Sequence, residues 1–136
     1  MMSEWLEVWV NELNNGQNIY RDSELKILLI IIDQHLSNPK LTVEMLAGLL
    51  EMSRRQLYRN SERLLDIPPG KLIKEARLRK ARWLIRKGRC KTTGQVLNEI
   101  GLGTARYFEQ EFKNRFEVYP ENLLTQNNQL AQVQAL

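Results

Sequence analysis

The sequence has little of the chemistry on which disulfide-bonded, metal-containing and many catalytic proteins depend. Its 136 residues include one cysteine, Cys90, and one histidine, His35. A single thiol excludes an internal disulfide, and one histidine with one cysteine excludes the usual zinc ligand sets. The chain also has no glycine-rich phosphate loop and no paired carboxylates on one helix face. We therefore predict no enzymatic activity, no metal and no cofactor.

Long apolar segments are also scarce. The longest run, Ile27–Ile32 with its flanks, is far shorter than the ~20 residues that span a bilayer. The N-terminus carries Glu4, Glu7 and Glu12 among its apolar side chains, which is unlike a signal peptide. These features predict a cytoplasmic location and no membrane contact by this segment. Because the run is apolar on every side, it predicts a deeply buried helix.

Charge is distributed unevenly along the chain, whose formal net charge is +4. Residues 1–70 hold seven basic and ten acidic side chains, whereas residues 71–136 hold thirteen and six. The stretch Lys71–Lys91 alone has ten basic residues against one acid, Glu75. A basic field of this kind favours a polyanion, with nucleic acid the leading candidate. Charge alone is equally compatible with a helix face that is merely solvated and binds no nucleic acid.

Helical periodicity dominates the sequence. Proline and glycine are sparse, nearly every segment between them is typical of a helix, and none alternates with period two. The predicted fold class is all-α. Residues 1–21 form an N-terminal extension whose start fits an amphipathic helix, with Trp5 and Trp9 one turn apart. Residues 125–136 form a polar tail that we expect to be frayed.

Two segments within residues 22–124 share one plan: a short capped helix, a tight turn and a second capped helix. The first covers about residues 42–65, with Ser53 and Gln56 spaced as a capping box, and the second covers about 93–116. This plan is typical of a helix-turn-helix unit, whose second helix can enter the major groove of DNA. Ala47 is the small residue expected at the crossing of the first two helices.

A long basic helix, about residues 69–87, joins the two units. Its nineteen residues span about 28 Å. That length suits two recognition helices spaced near the ~34 Å repeat of one DNA turn. A single chain could then read two adjacent groove segments without dimerising.

The arrangement resembles the C-terminal DNA-binding domain of the AraC/XylS family of transcription regulators. The resemblance covers about Leu36 to Leu124 and rests on the strings LTVEMLAGLLEMSRRQLYR, PPGKLIKEARLRKARWLI, EIGLGTARYFEQEFKNRF and YPENL. It implies two homeodomain-like three-helix units on one linking helix. The implied function is sequence-specific binding of double-stranded DNA by a bacterial regulator, with two recognition helices in adjacent major-groove segments.

The resemblance also implies partners other than DNA. They are RNA polymerase and, in a longer chain, an upstream sensor or receiver domain, as in a two-component regulator. Residues 1–35 are too few for such a domain. The sequence is therefore compatible with two interpretations, a small stand-alone regulator and the C-terminal piece of a longer one.

The family's docking, carried over to this chain, separates base contacts from phosphate contacts. The predicted base contacts are Arg55, Tyr58 and Arg59 on the first recognition helix and Ala105, Arg106 and Gln110 on the second. The predicted phosphate contacts are Ser53, Arg54, Lys71, Lys74, Lys87, Thr104 and Lys113. Arginine pairs with guanine, glutamine with adenine, and a methyl group with thymine. Residues assigned to the buried structure are Arg77, Tyr107, Phe108, Phe112 and Phe116.

Three departures from the family pattern bear on the alternatives. Glu51 and Glu117 stand where glycine is usual, and Leu97 replaces an alanine at the second helix crossing, where it should separate or rotate the helices. Because Glu109 repels phosphate, the second unit is expected to bind DNA more weakly. The alternative function is a protein-interaction module that kept the fold and lost specific DNA reading. A basic recognition face favours DNA, and an exposed apolar groove favours a protein partner.

Overall fold

The computed structural model describes residues 2–13 and 23–135, and every regular element in them is a helix. The helices are α1 (Glu4–Leu13), α2 (Ser23–His35), α3 (Val43–Leu49), α4 (Arg54–Leu65), α5 (Pro69–Arg86), α6 (Thr93–Ile100), α7 (Ala105–Phe116) and α8 (Pro120–Ala135). The all-α prediction is confirmed. Part of the predicted N-terminal extension, residues 14–21, lies outside the described residues. Within the described ranges, every helix is too short or too polar to cross a membrane.

The chain divides into two compact units, residues 1–76 and residues 77–136. In the first unit, α1 packs on α2 and α3 packs on α4. Trp5 Nε1 and Ser3 Oγ each donate a hydrogen bond of 2.8 Å to the Asp33 carboxylate. The rings of Trp5 and Trp9 stack 6.1 Å apart, and both are buried, as the amphipathic pattern of α1 predicts.

Helix α2 is buried on one side only, whereas its apolar centre predicted a deeply buried helix. Leu28, Leu29 and Ile32 are at most 3% exposed, but Ile27 is 54% exposed. The buried residues recur at helical spacing, which places them on one stripe. An apolar run therefore does not by itself bury every side of a helix.

The first helix-turn-helix unit is built as its sequence predicts. Thr42 caps α3, and Ala47 is 4% exposed beneath the turn. The backbone N–H of Met52 donates to the Ala47 carbonyl at 2.9 Å, which closes the turn. Glu51 takes a left-handed conformation with φ 55°, the geometry for which glycine is usual at this position. The chain then enters α4 at Ser53.

The second unit repeats this plan around an aromatic core. Thr92 caps α6, and Gly101 ends it with φ 66°. Phe108 and Phe112 of α7 are fully buried, together with Ile85 of α5 and Ile100 of α6. Leu97 packs half-buried against the same core.

Helix α8 extends to Ala135, so the expectation of a frayed tail was wrong. Polar side chains hold it to its own unit. Asn127 Nδ2 donates to the Ile85 carbonyl at the end of α5, and Asn128 Nδ2 donates to the Lys91 carbonyl at 3.4 Å. The Ile85 carbonyl also accepts from the Gly88 N–H at 3.1 Å, so the Asn127 amide is its second donor at the end of α5.

Candidate nucleic-acid interface

Helices α4 and α7, the two predicted recognition helices, each begin at an exposed hydroxyl cap. Ser53 Oγ accepts a hydrogen bond of 3.1 Å from the Gln56 N–H, and Gln56 Oε1 accepts one of 3.0 Å from the Ser53 N–H. The predicted capping box is therefore confirmed. At the start of α7, Thr104 Oγ1 accepts from the Tyr107 N–H at 3.2 Å. Each helix start presents the positive end of a helix dipole at the surface, which suits a phosphate oxygen.

The outer face of α4 carries two arginines one turn apart. Arg55 and Arg59 are exposed, whereas Leu57, on the opposite face, is fully buried and fixes the rotation of the helix. Within the described part of the chain, neither guanidinium forms an ion pair. Their planar forks of N–H donors are therefore open to base edges or phosphates.

Arg54, the first residue of α4, is held by its own unit. Its Nη1 lies 2.8 Å from Glu44 Oε1 on α3, and its Cζ lies 5.5 Å from the centroid of the Tyr58 ring. The side-chain interaction with Tyr58, followed by the charge of Glu44, raises the pKa of Arg54 above its ordinary value. Tyr58 itself is half-buried beside the guanidinium.

The exposed face of α7 is less basic. Ala105, Arg106 and Gln110 all lie on it, as the helical phase predicts. Gln110 Nε2 donates a hydrogen bond of 3.0 Å to Asn114 Oδ1, which aligns the amide along the helix surface. The face thus offers one cation and one amide, whereas the outer face of α4 offers two exposed arginines.

Tyr107 is not part of the buried stripe, so this prediction was wrong. Its side chain is 49% exposed, whereas Phe108 and Phe112 are fully buried. The stripe recurs every fourth residue, and residue 107 lies about 100° around the helix from residue 108. Tyr107 therefore shares the exposed face with Arg106. Its phase in the helix was the available signal for this additional candidate contact.

The predicted phosphate-contacting lysines differ in their surroundings. Lys71 and Lys87 are exposed, and Lys74 is half-buried. Lys113 Nζ donates a hydrogen bond of 2.9 Å to the carbonyl of Glu117 and lies 5.4 Å from the centroid of the Tyr119 ring. Lys113 is thus engaged at the C-terminal end of α7, away from the Thr104 cap.

Arg77 is 8% exposed, in agreement with its assignment to the buried structure. Burial lowers its pKa, and the nearby Tyr107 opposes that change. Burial also raises the pKa of the Cys90 thiol, with a further contribution from Glu99, so this cysteine stays in its thiol form. Neither residue belongs to the exposed recognition faces.

The first unit also has an apolar groove of about 220 Å³ between α2 and α4. Ile27, Leu28 and Leu57 are among its lining residues, and Glu24 at its edge pairs with Arg63. Because Leu57 lines it, the groove lies on the side of α4 opposite to Arg55 and Arg59. The feature that favours a protein partner is thus separate from the basic recognition face.

Comparisons with known proteins agree with this architecture. Residues 46–126 match the helix-turn-helix domain family. The C-terminal domain of the two-component response regulator yesN from Fusobacterium nucleatum is similar in structure, with a TM-score of 0.67 at 18% identity, over 76% of this chain and 99% of that chain. The C-terminal domain of AraT, a response regulator from Geobacillus stearothermophilus, has a TM-score of 0.67 at 25% identity, over 77% and 86%.

A DNA-binding transcriptional dual regulator from Escherichia coli K-12 has a TM-score of 0.64 at 22% identity, over 75% of this chain and 89% of that chain. Comparison with curated proteins gives no significant match. Two capped helix-turn-helix units define the class: a DNA-binding domain of transcription regulators. The chain belongs to the AraC-type helix-turn-helix family.

Proposed function

We propose that this chain binds double-stranded DNA sequence-specifically, with α4 and α7 reading adjacent major-groove segments. The observation that carries the proposal is the pair of exposed arginines, Arg55 and Arg59, which form no ion pair with any described residue and lie on a capped helix. A guanidinium that meets guanine O6 and N7 in bidentate fashion discriminates by about 1–3 kcal/mol. Two such residues one turn apart suit neighbouring base pairs.

The second helix reads a different set of bases. Ala105 presents a methyl group to thymine, Gln110 an amide to adenine, and Arg106 a guanidinium to guanine or phosphate. Tyr58 and Tyr107 add partly exposed rings beside these contacts. Because α7 has fewer cations than α4, it contributes sequence preference with less affinity.

Contacts to phosphate supply most of the affinity and none of the sequence preference. The proposed phosphate contacts are Ser53, Arg54, Lys71, Lys74, Lys87, Thr104 and Lys113. Lys71 and Lys87 are exposed and need no rearrangement to contact a phosphate. Lys113 would have to leave the Glu117 carbonyl, so we expect it to contribute least.

Two of the similar structures are C-terminal domains of response regulators. They support the further proposal that a receiver domain controls a module of this type in a longer protein. RNA polymerase remains a predicted partner. Both proposals concern regulation and leave the DNA contacts of α4 and α7 unchanged.

Selection from a pool of randomised duplexes tests the proposal. The chain should enrich two short sequence segments, one for each recognition helix. A parallel selection with Arg106→Ala/Gln110→Ala should erase only the segment read by α7, because that variant leaves α4 intact. Failure of the unsubstituted chain to enrich any sequence would contradict specific reading.

The alternative, a protein-interaction module, is favoured by one observation, the apolar groove beside the exposed Ile27. It predicts that Ile27→Glu abolishes partner binding and that the chain shows no duplex binding even at low salt. The DNA proposal predicts that Ile27→Glu leaves duplex affinity within about two-fold, because the groove faces away from Arg55 and Arg59.

A further inference from the structure

A charged pair joins the two helices of the first helix-turn-helix unit at its surface. Arg54 Nη1 lies 2.8 Å from Glu44 Oε1, and both side chains are 62% exposed. Glu44 belongs to the first turn of α3, and Arg54 is the first residue of α4. The guanidinium is thus turned toward its own unit at the point where the recognition helix begins.

Tyr58 completes the arrangement. It lies one turn along α4 from Arg54, with the guanidinium carbon 5.5 Å from its ring centroid. A cation near an aromatic ring and a carboxylate is attracted by both. The Arg54 side chain is therefore biased toward one position, whereas Arg55 next to it makes no ion pair within the described residues.

The second unit lacks a counterpart of this pair. Counted from the caps Thr42 and Thr92, the residue equivalent to Glu44 is Gly94, and the first residue of α7 is Ala105. Glycine and alanine have no charge with which to pair. The feature therefore belongs to the first unit and is not a requirement of the helix-turn-helix fold.

We propose that Glu44 is a positioning residue that withholds Arg54 from the DNA backbone and so lowers the affinity of the first unit for DNA of any sequence. The inference rests on the proposed function, in which the start of α4 faces the DNA backbone, and it adds that Glu44 keeps the Arg54 guanidinium from making its phosphate contact in the unsubstituted chain. A phosphate can recruit the guanidinium only by displacing the Glu44 carboxylate. The competition is between two anions for one cation, and it involves no base edge.

The strength of the pair sets the size of the effect. An exposed pair of this kind is weak, so its loss should raise affinity about two- to five-fold. One additional phosphate contact also steepens the dependence of log affinity on log salt by about 0.9. A change in the salt slope reports a new ionic contact, which a purely structural effect of the substitution would not produce.

A double-mutant cycle on a random-sequence duplex tests the inference. The four proteins are the unsubstituted chain, Glu44→Gln, Arg54→Ala and the double variant, each measured over a salt series with its melting temperature. Glu44→Gln should bind about two- to five-fold more tightly with the steeper slope. Arg54→Ala alone should change affinity by less than two-fold, and in the Glu44→Gln background it should abolish the gain.

Glu62→Gln is the matched control, since Glu62 is an exposed glutamate two turns further along α4. An equal gain in this variant would show a general effect of net charge and overturn the inference. The inference would also be overturned if Glu44→Gln raised duplex affinity equally in the Arg54→Ala background. It would be overturned, too, if Glu44→Gln changed neither the duplex affinity nor the salt slope. If Glu44→Gln fails to fold, Arg54→Ala alone decides. A loss of duplex affinity greater than two-fold overturns the inference, and a smaller loss supports it.

Failure of the proposed function gives a different result. In that case the unsubstituted chain does not bind duplex DNA at low salt, and none of the four proteins does. Failure of the inference alone leaves duplex binding intact and removes only the effect of Glu44. The cycle therefore separates the two.

Discussion

The ammonium of Lys113 donates a hydrogen bond of 2.9 Å to the carbonyl of Glu117, the residue that ends α7 in a left-handed conformation. The backbone N–H of Glu117 in turn donates to the Lys113 carbonyl at 2.8 Å. The two residues therefore close the last turn of α7 from both sides. A lysine near a helix C-terminus is also favoured by the helix dipole.

Glu117→Gly should stabilise the chain by about 0.5–1 kcal/mol. Glu117 has φ 65°, a conformation that costs about 1–2 kcal/mol in a residue with a Cβ and is free of that cost in glycine. The greater entropy of unfolded glycine offsets part of the gain. Glu109→Gly, the same substitution inside α7, should destabilise by about 1 kcal/mol. Chemical denaturation of both variants measures the difference, and equal destabilisation would contradict the account.

Ala47→Glu should destabilise the first unit by several kcal/mol, because it places an unpaired carboxylate at a site only 4% exposed. Gly48→Glu introduces the same side chain one residue along. A Cβ there meets nothing within 4 Å, so that variant should fold and keep its melting temperature or raise it. Thermal melts check the pair. A melting temperature unaffected by Ala47→Glu would contradict the observed helix crossing.

Asn127→Ala should lower the free energy of unfolding of the second unit by about 0.5–1 kcal/mol, since it removes one of the two hydrogen bonds that the Ile85 carbonyl accepts and leaves the one from Gly88. Gln129→Ala, an exposed position on the same helix, is the control and should have an effect below about 0.5 kcal/mol. Equal effects of the two variants in urea denaturation would show that α8 does not dock through Asn127.

Local signals in the sequence predicted local structure well. The hydroxyl and amide of Ser53 and Gln56 satisfy each other within four residues, so their spacing was sufficient to predict the capping box. Glu51 and Glu117, read as replacements of glycine, both have positive φ. The composition of the last helix was misleading because its docking depends on Asn127 meeting a carbonyl 42 residues earlier in the chain.

The candidate site was predictable only in part, for the same reason. Helical phase placed Arg55, Arg59 and Gln110 on exposed faces. The pairing of Arg54 with Glu44 depends on how α3 and α4 cross, and neither residue type nor spacing encodes that contact. Tyr107 was assigned with Phe108 and Phe112 to one buried stripe on the basis of spacing, although its position one residue before Phe108 puts it on another face of α7.

Duplex affinity should fall steeply with salt, because lysines and arginines displace cations condensed on DNA. With about five phosphate contacts, the log–log slope should be near −4.5. Lys87→Ala should reduce the magnitude of this slope by about 0.9, since Lys87 is exposed at the end of α5. Fluorescence anisotropy over a salt series measures both values. A flat titration would favour the protein-interaction alternative.

Equilibrium binding of Arg59→Ala to the selected duplex and to a random duplex tests the central claim most directly. If Arg59 reads a base, the variant loses about 1–3 kcal/mol on the selected duplex and little on the random one, with relaxed preference at one base pair. Lys87→Ala, measured in parallel, should weaken both equally. Equal losses of Arg59→Ala on the two duplexes would make Arg59 a phosphate contact and contradict the assignment of α4 as a reading helix.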